Sequence, residues 1–206
     1  MTQAQPILLY GTRLSGHSHR AELMLNLLAL PYAFHPVDLA RGDQRTPEFL
    51  AMSPFGTVPV LDDNGVILAD SVAILVYLAS RYDADRRWLP VDPVAAATVQ
   101  FWLSVAQGPI YNGPCAARLI RRFAAPLDQG RAIAVADTLL DMLDRHLARH
   151  PFLVGTAPTI ADIAAYSYLA VAPEGGIDLA PHRDIASWFG RIEALPGFLP
   201  MPGRGA

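Results

Sequence analysis

The chain has 206 residues, 52% of them hydrophobic and 17% charged, with a formal net charge of -3. That balance belongs to a core-rich globular protein with room for one large domain or two small ones, and its sign argues against nucleic acid or an anionic membrane as the main partner. All 16 basic residues are arginine, which excludes lysine Schiff-base and P-loop chemistry, and the single cysteine, Cys115, excludes an internal disulfide or a CxxC redox pair.

Met1 to Pro6 lacks the basic start and apolar stretch of a secretory signal. The longest uncharged apolar run near the C-terminus, Ile163 to Pro173, is too short to span a bilayer, so a soluble cytoplasmic protein is expected. Ile7 to Tyr10 reads as a short buried strand. A loop from Gly11 to His17 leads into a helix over about Ser18 to Ala29, whose face Ala21, Met24, Leu25, Leu28 follows helical spacing. Pro31 marks a break before a second strand, Tyr32 to Leu39, and Pro47 to Leu50 predicts a short irregular helix. Asp62-Asp63-Asn64-Gly65 is a hairpin signal joining a strand at Val58–Leu61 to one at Val66–Ala69. A helix from Ser71 to about Tyr82 completes a β-α-β-α-β-β-α unit.

The stretch from Arg81 to Pro93, rich in charge and proline around Trp88, reads as a linker. Beyond it every periodic segment is helical. Ile133, Ala136, Leu140, Leu143 and Leu147 step by three and four between Leu127 and His150. Thr159-Ile160-Ala161-Asp162 is a capping-box pattern ahead of an apolar helix to about Ala172. A last helix runs from about Arg183 to Leu195 and is stopped by Pro196-Gly197. The expected organisation is an α/β domain over residues 1–82, a linker over 83–93 and an all-helical domain over 94–206.

The most informative stretch is Thr57-Val58-Pro59-Val60-Leu61 with Asp70-Ser71 close behind. Proline donates no N–H to a sheet ladder, so Pro59 inside a buried strand predicts a special edge where Val58 is extended and its peptide groups are free. Asp70-Ser71 opens a helix, placing a carboxylate, a hydroxyl and free N–H groups at its positive end. A free strand edge beside those groups suits a small zwitterionic peptide.

These segments, together with Ser15-Gly16-His17-Ser18-His19-Arg20, Phe55-Gly56, the Thr159–Asp162 cap and the ending Trp188 to Phe198, resemble the cytosolic glutathione transferases over essentially the whole chain. The nearest kinds are the bacterial, serine-type members of theta or nu character. No one motif is specific, but their order and spacing together are. The resemblance implies a thioredoxin-like N-terminal domain, an all-α C-terminal domain, a cis Val58-Pro59 bond and a homodimer. It also implies glutathione as co-substrate, held as thiolate for attack on a small hydrophobic electrophile, with detoxification as the role.

A free thiol has a pKa of ~8.5, and the thiolate is the nucleophile. Each unit of depression needs ~1.4 kcal/mol, and one hydroxyl hydrogen bond to a charged partner supplies ~1.5–3 kcal/mol. By resemblance Ser15 donates that bond to the sulfur; read from the residue alone it is equally a capping serine. Tyr10 is the rival donor, though a packed strand residue suits it better. By the same resemblance Val58 and Pro59 present backbone to the cysteinyl part. Asp70 meets the γ-glutamyl ammonium, and Ser71 with its N–H meets the carboxylate. His17 is a second donor or simply a solvated loop residue. Thr57 stands where relatives place a lysine or glutamine for the glycine carboxylate, so Arg41, Gln44 or Arg45 must substitute, or none does. Arg118, Arg121 and Arg122 at helical spacing read as a solvated face. No metal is expected, because His146 and His150 lack a third ligand. Two alternatives remain at this level: a glutathione-binding or protein-interaction module without transferase activity, and a glutathione-dependent disulfide reductase or isomerase.

Overall fold

Residues 6–202 are described by the computed structural model of the chain; residues 1–5, which hold most of the segment read for a leader, and residues 203–206 lie outside it. Strand β1 (Ile7–Gly11) is followed by helix α1 (Gly16–Leu27), β2 (Tyr32–Pro36), α2 (Pro47–Met52), β3 (Val60–Asp63), β4 (Val66–Ala69) and α3 (Ser71–Tyr82). The four strands lie in the order β2-β1-β3-β4, with β1 parallel to β2 and antiparallel to β3. This is the thioredoxin-like order that the resemblance implies.

Alternation along the strands builds the two faces of the sheet. Ile7, Leu9 and Leu61 turn towards α1 and α3 and join the main core, whereas Tyr10 and Val60 turn the other way onto Phe49 of α2. The β3–β4 turn is made by Asn64 and Gly65, both at positive φ (53° and 93°), the pair a two-residue hairpin demands. Three boundaries differ from the sequence reading. Helix α1 begins at Gly16 because Ser15 caps it; β2 ends at Pro36, one last bond from the Val37 N–H to the Gly11 carbonyl (2.8 Å) closing its contact with β1. Pro59 stands immediately before β3 and not inside it, with the Val58-Pro59 bond cis.

The second half contains α4 (Pro93–Gln107), a wide π-type turn over Tyr111–Cys115, α5 (Ala116–Phe123), α6 (Gln129–Leu147), α7 (Ile160–Ala170), a 3-10 turn over Ala172–Gly175 and α8 (Arg183–Glu193). Every residue of α7 is buried, as expected of a helix surrounded on all sides. It packs against α4 on one side and α1 on the other, so one apolar core runs through both halves of the molecule. The stretch between α3 and α4 is anchored as well. The Trp88 N–H donates to Asp83 (2.7 Å), and the Trp88 carbonyl accepts from the N–H of Ile160 at the start of α7 (2.9 Å).

Asp162 holds this region together. Its Oδ1 accepts from the Leu153 N–H and the Trp188 indole N–H, both at 2.9 Å. Its Oδ2 accepts from the Thr159 N–H (2.9 Å) and the Thr159 hydroxyl (3.2 Å), completing the capping box. Asp162 and Trp188 are both fully buried. Removal of the carboxylate orphans several buried donors at once, each costing about 1–3 kcal/mol. Asp162→Ala is therefore expected to destabilise the protein by at least about 3 kcal/mol, read as a shift in the urea midpoint. A loss under about 1 kcal/mol would contradict this account.

Candidate functional site

Ser15 sits at the seam between the two halves. It is the N-cap of α1, extended at φ -87° and ψ 121°, and its Oγ accepts the Ser18 N–H at 3.3 Å. Its own N–H donates to the Thr12 carbonyl at 3.0 Å. No acidic side chain lies in the first turn of α1, so the positive end of the helix dipole is uncompensated there. Gly16, the next residue, is held against α7: a Cβ at this position would lie 2.8 Å from the ring of Tyr168. Any side chain here would push the two domains apart.

The N-termini of α1 and α3 meet at Ser71. The Ser71 hydroxyl, 3% exposed, stands 3.2 Å from Nδ1 of His17 and accepts from Nη1 of Arg20 at 3.3 Å. His17 is thus a half-buried helical residue between the rings of Tyr111 and Tyr168, and not the solvated loop histidine of the sequence reading. Burial, aided by the nearby Arg20 charge, pushes its pKa down to about 3, so it stays neutral at ordinary pH. Arg20 is entirely buried, no carboxylate is paired with it, and its Nε and Nη2 have no partner among the described residues. Asp70 caps α3 through Oδ1, which accepts from the N–H groups of Val72 (2.9 Å) and Ala73 (2.8 Å). Its Oδ2 accepts from Nε2 of Gln107 on α4 at 3.0 Å. The carboxylate remains exposed, while the Ser71 side chain is turned inward.

On the other flank, the peptide groups of Val58 have no partner among the described residues. The preceding loop is tied by the buried hydroxyl of Ser53, which donates to the Thr57 carbonyl (2.9 Å) and accepts from the Thr57 N–H (3.2 Å). Of the three loop candidates for the glycine carboxylate, Gln44 packs against this segment, its carbonyl meeting Gly56, and its side-chain Oε1 is buried without a donor. Arg41 is exposed, and only its backbone is tied down, to Asp38. Tyr10, the rival to Ser15, packs on the α2 face of the sheet with its ring 5.1 Å from that of His35.

Sequence reasoning missed what the helical domain brings. Tyr168, 4% exposed, lies within side-chain hydrogen-bond reach of both Ser15 and Cys115. Cys115 is buried, and burial raises its thiol to about 11, so it is an inert packed residue. Arg118 is 1% exposed and reaches back to the Leu14 carbonyl, which overturns the solvated-face reading for that residue. His19 crosses the seam as well. Its Nε2 donates to the Leu199 carbonyl, so Nδ1 accepts from the Ser167 hydroxyl, both at 2.8 Å. Only the three-residue spacing of Ser15 to Ser18 and the apolar setting of Tyr168 are visible in the chain; the long-range contacts have no local signal. Among the described residues no group of three or more potential metal ligands converges.

A family model described as "Glutathione S-transferase, N-terminal domain" matches residues 9–86, and one described as "Glutathione S-transferase, C-terminal domain" matches residues 114–195. Glutathione S-transferase 3 of Zea mays is 32% identical, the match covering 96% of each chain. Among solved structures, a glutathione S-transferase from Pseudomonas fluorescens is 35% identical with a TM-score of 0.90, over 96% of this chain and 100% of that one. A glutathione transferase homologue from Drosophila mojavensis with bound glutathione is 28% identical with a TM-score of 0.83, over 93% and 89% of the two chains.

The two neutral histidines make stability depend on pH. His17 is held down to about 3 and His19 to about 4, in both cases chiefly by burial, whereas in the unfolded chain each titrates near 6.5. As pH falls below 6.5 the unfolded chain takes up these protons and the native state does not. The stabilisation is therefore complete above about pH 6.5 and declines as pH falls towards about 4. Each such group contributes at most about 1.4 kcal/mol per pH unit within that window. The urea midpoint is expected to be lower at about pH 5 than at about pH 7, and the difference to shrink in His19→Gln. An undiminished difference in the variant would refute this assignment.

Proposed function

The chain belongs to the cytosolic glutathione S-transferase family and is a glutathione transferase, and from that premise we propose that Ser15 is the residue that activates the thiol. Glutathione loses its thiol proton to solvent, and the resulting thiolate attacks an electrophilic carbon. A carbon–sulfur bond forms while the leaving group departs with its electron pair. Ser15 donates a hydrogen bond to the sulfur and is not itself a nucleophile. The observation that carries this reading is its position: the hydroxyl stands at the uncompensated N-terminus of α1, so one donor and the helix dipole favour the anion together.

The tripeptide lies along the unpaired peptide of Val58, presented by Pro59, with its γ-glutamyl ammonium on the exposed carboxylate of Asp70. Its α-carboxylate takes the first-turn N–H of Ser71. The Ser71 hydroxyl plays a different part from the one read in sequence, tying that turn to His17 and Arg20. Neutral His17 frames the site as a hydrogen-bonding group and not as a cation. Buried Arg20 supplies the positive potential that an anionic ligand favours. The glycine carboxylate falls to the Nε2 amide of Gln44, which otherwise meets the Leu39 carbonyl at 3.5 Å, with Arg41 further out in solvent. The electrophile is small and hydrophobic and approaches over the exposed side chains of Leu14 and Tyr111.

Further parts of the reading are a cytoplasmic, detoxifying enzyme and a homodimer. No helix among the described residues is long and apolar enough to cross a membrane. Val91, Val94 and Phe101, at 77%, 75% and 57% exposure, leave an apolar side at α4 that a second copy would cover. Light scattering is expected to give twice the chain mass, and a monomer at micromolar concentration would overturn the dimer.

Ultraviolet titration of the bound thiolate tests Ser15. The wild-type complex is expected to ionise about one to two units below the free thiol, and Ser15→Ala to return it close to ~8.5. An unchanged titration in the variant would remove Ser15 from the chemistry.

A further inference from the structure

Arg118 lies 104 residues from Leu14 in sequence, yet its Nη1 donates to the Leu14 carbonyl at 2.7 Å. That carbonyl belongs to the same peptide unit as the Ser15 N–H, which donates to the Thr12 carbonyl at 3.0 Å. The plane is thus gripped at both ends. Its orientation sets the φ of Ser15 and so the direction in which the side chain leaves the backbone, and the Ser18 N–H, 3.3 Å from Oγ, holds the hydroxyl on that course. The guanidinium is itself fixed. Its Nε donates to Oε2 of Glu174 at 2.8 Å, and the same oxygen accepts from Nη1 of Arg122, also at 2.8 Å. Glu174 sits in the 3-10 turn after α7, and that turn is pressed onto α5 so closely that a Cβ at Gly175 would lie 2.8 Å from the backbone nitrogen of Arg118. Arginine suits this place because its planar fork serves a carboxylate and a carbonyl simultaneously, which an ammonium cannot reproduce in fixed geometry.

We propose that Arg118, braced by Glu174, is a positioning residue for the transferase reaction: from the helical domain it sets the Leu14–Ser15 peptide so that the Ser15 hydroxyl points at the bound sulfur. The inference rests on the reading of Ser15 as the thiol-activating group. A clamp with a purely structural role would hold the two domains together without affecting the ionisation of bound glutathione. A positioning role shows in the ionisation itself, and only while Ser15 is present.

The experiment compares wild type, Arg118→Gln, Ser15→Ala and the double variant. Three quantities are read: the thiolate titration of bound glutathione, kcat/KM with chlorodinitrobenzene at about pH 6.5, and the Kd of S-methylglutathione, which has no ionisable thiol. Arg118→Gln is expected to raise the bound thiol pKa by about one unit and lower kcat/KM about tenfold. Its Kd for S-methylglutathione is expected to stay within about twofold of wild type, and adding the change to Ser15→Ala to give no further shift. A wild-type titration in Arg118→Gln overturns the proposal, and so does an equal shift in the Ser15→Ala background. If Arg118→Gln does not fold, Glu174→Gln decides. It is expected to raise the pKa by roughly half a unit, and no rise overturns the proposal. Should Ser15→Ala alone leave the titration unchanged, the Ser15 reading falls and the clamp with it. A shift in Ser15→Ala without one in Arg118→Gln removes the clamp alone.

Discussion

The structure depends on one helix being shared by two domains. Helix α1 belongs to the sheet by chain order and packs its Leu23–Leu25 segment into the sheet's core, yet its first turn and a half is built against α7. Gly16 lets the Tyr168 ring come into contact, and His19 spans from Ser167 to the Leu199 carbonyl. Ser15, His17 and Arg20 occupy the same turns. The geometry of the site and the docking of the domains are therefore a single packing problem. A shift of α7 relative to α1 moves the cap, the dipole end and the histidine together.

Much of this is legible in the chain because the signals are local. Asn64-Gly65 marks its hairpin, Asp70 and Ser71 mark the start of α3, and Thr159 with Asp162 marks the start of α7. Each works through backbone groups within a few residues, and each structural outcome matches. Where the sequence misleads, the deciding partner is distant along the chain. Arg118 looks like one of three arginines on a wet helix face, because nothing near it announces the Leu14 carbonyl or Glu174. His17 looks like a loop residue because the apolar periodicity starts the helix two residues late. Pro59 looks like part of a strand because Val-Pro-Val-Leu is apolar throughout, and only sheet register shows that pairing begins at Val60. Tyr168 lies hidden inside a helix whose residues are all apolar or small enough to be core.

The buried charges follow a pattern. Asp162 is met by several partners, and Arg118 by a carboxylate and a carbonyl although its Nη2 is left buried and unpaired. Arg20 has less. It has one hydroxyl contact at 3.3 Å and two unpaired nitrogens, with no exposure to water. In a chain that uses only arginine as its strong base, this guanidinium cannot relieve the strain by losing its proton. The cost falls on the stability of the fold, and it is incurred where the N-termini of α1 and α3 meet. That is the reverse of optimising a core, and such departures are the mark of functional sites.

The wide turn at Tyr111–Cys115 bears on how such enzymes diversify. A π-type turn carries one residue more than an α-helical turn needs. The surplus sets the angular phase between α4 and α5, and thereby which side chains of the second domain look across at α1. With that phase Tyr111 stands 6.0 Å from His17, and Cys115 is within hydrogen-bond reach of Tyr168. Deleting a single amino acid there would rewind the segment and rotate α4 by about 100° relative to α5. Such a rotation would also carry Gln107 away from Asp70, so the helical wall and the first turn of α3 would change together.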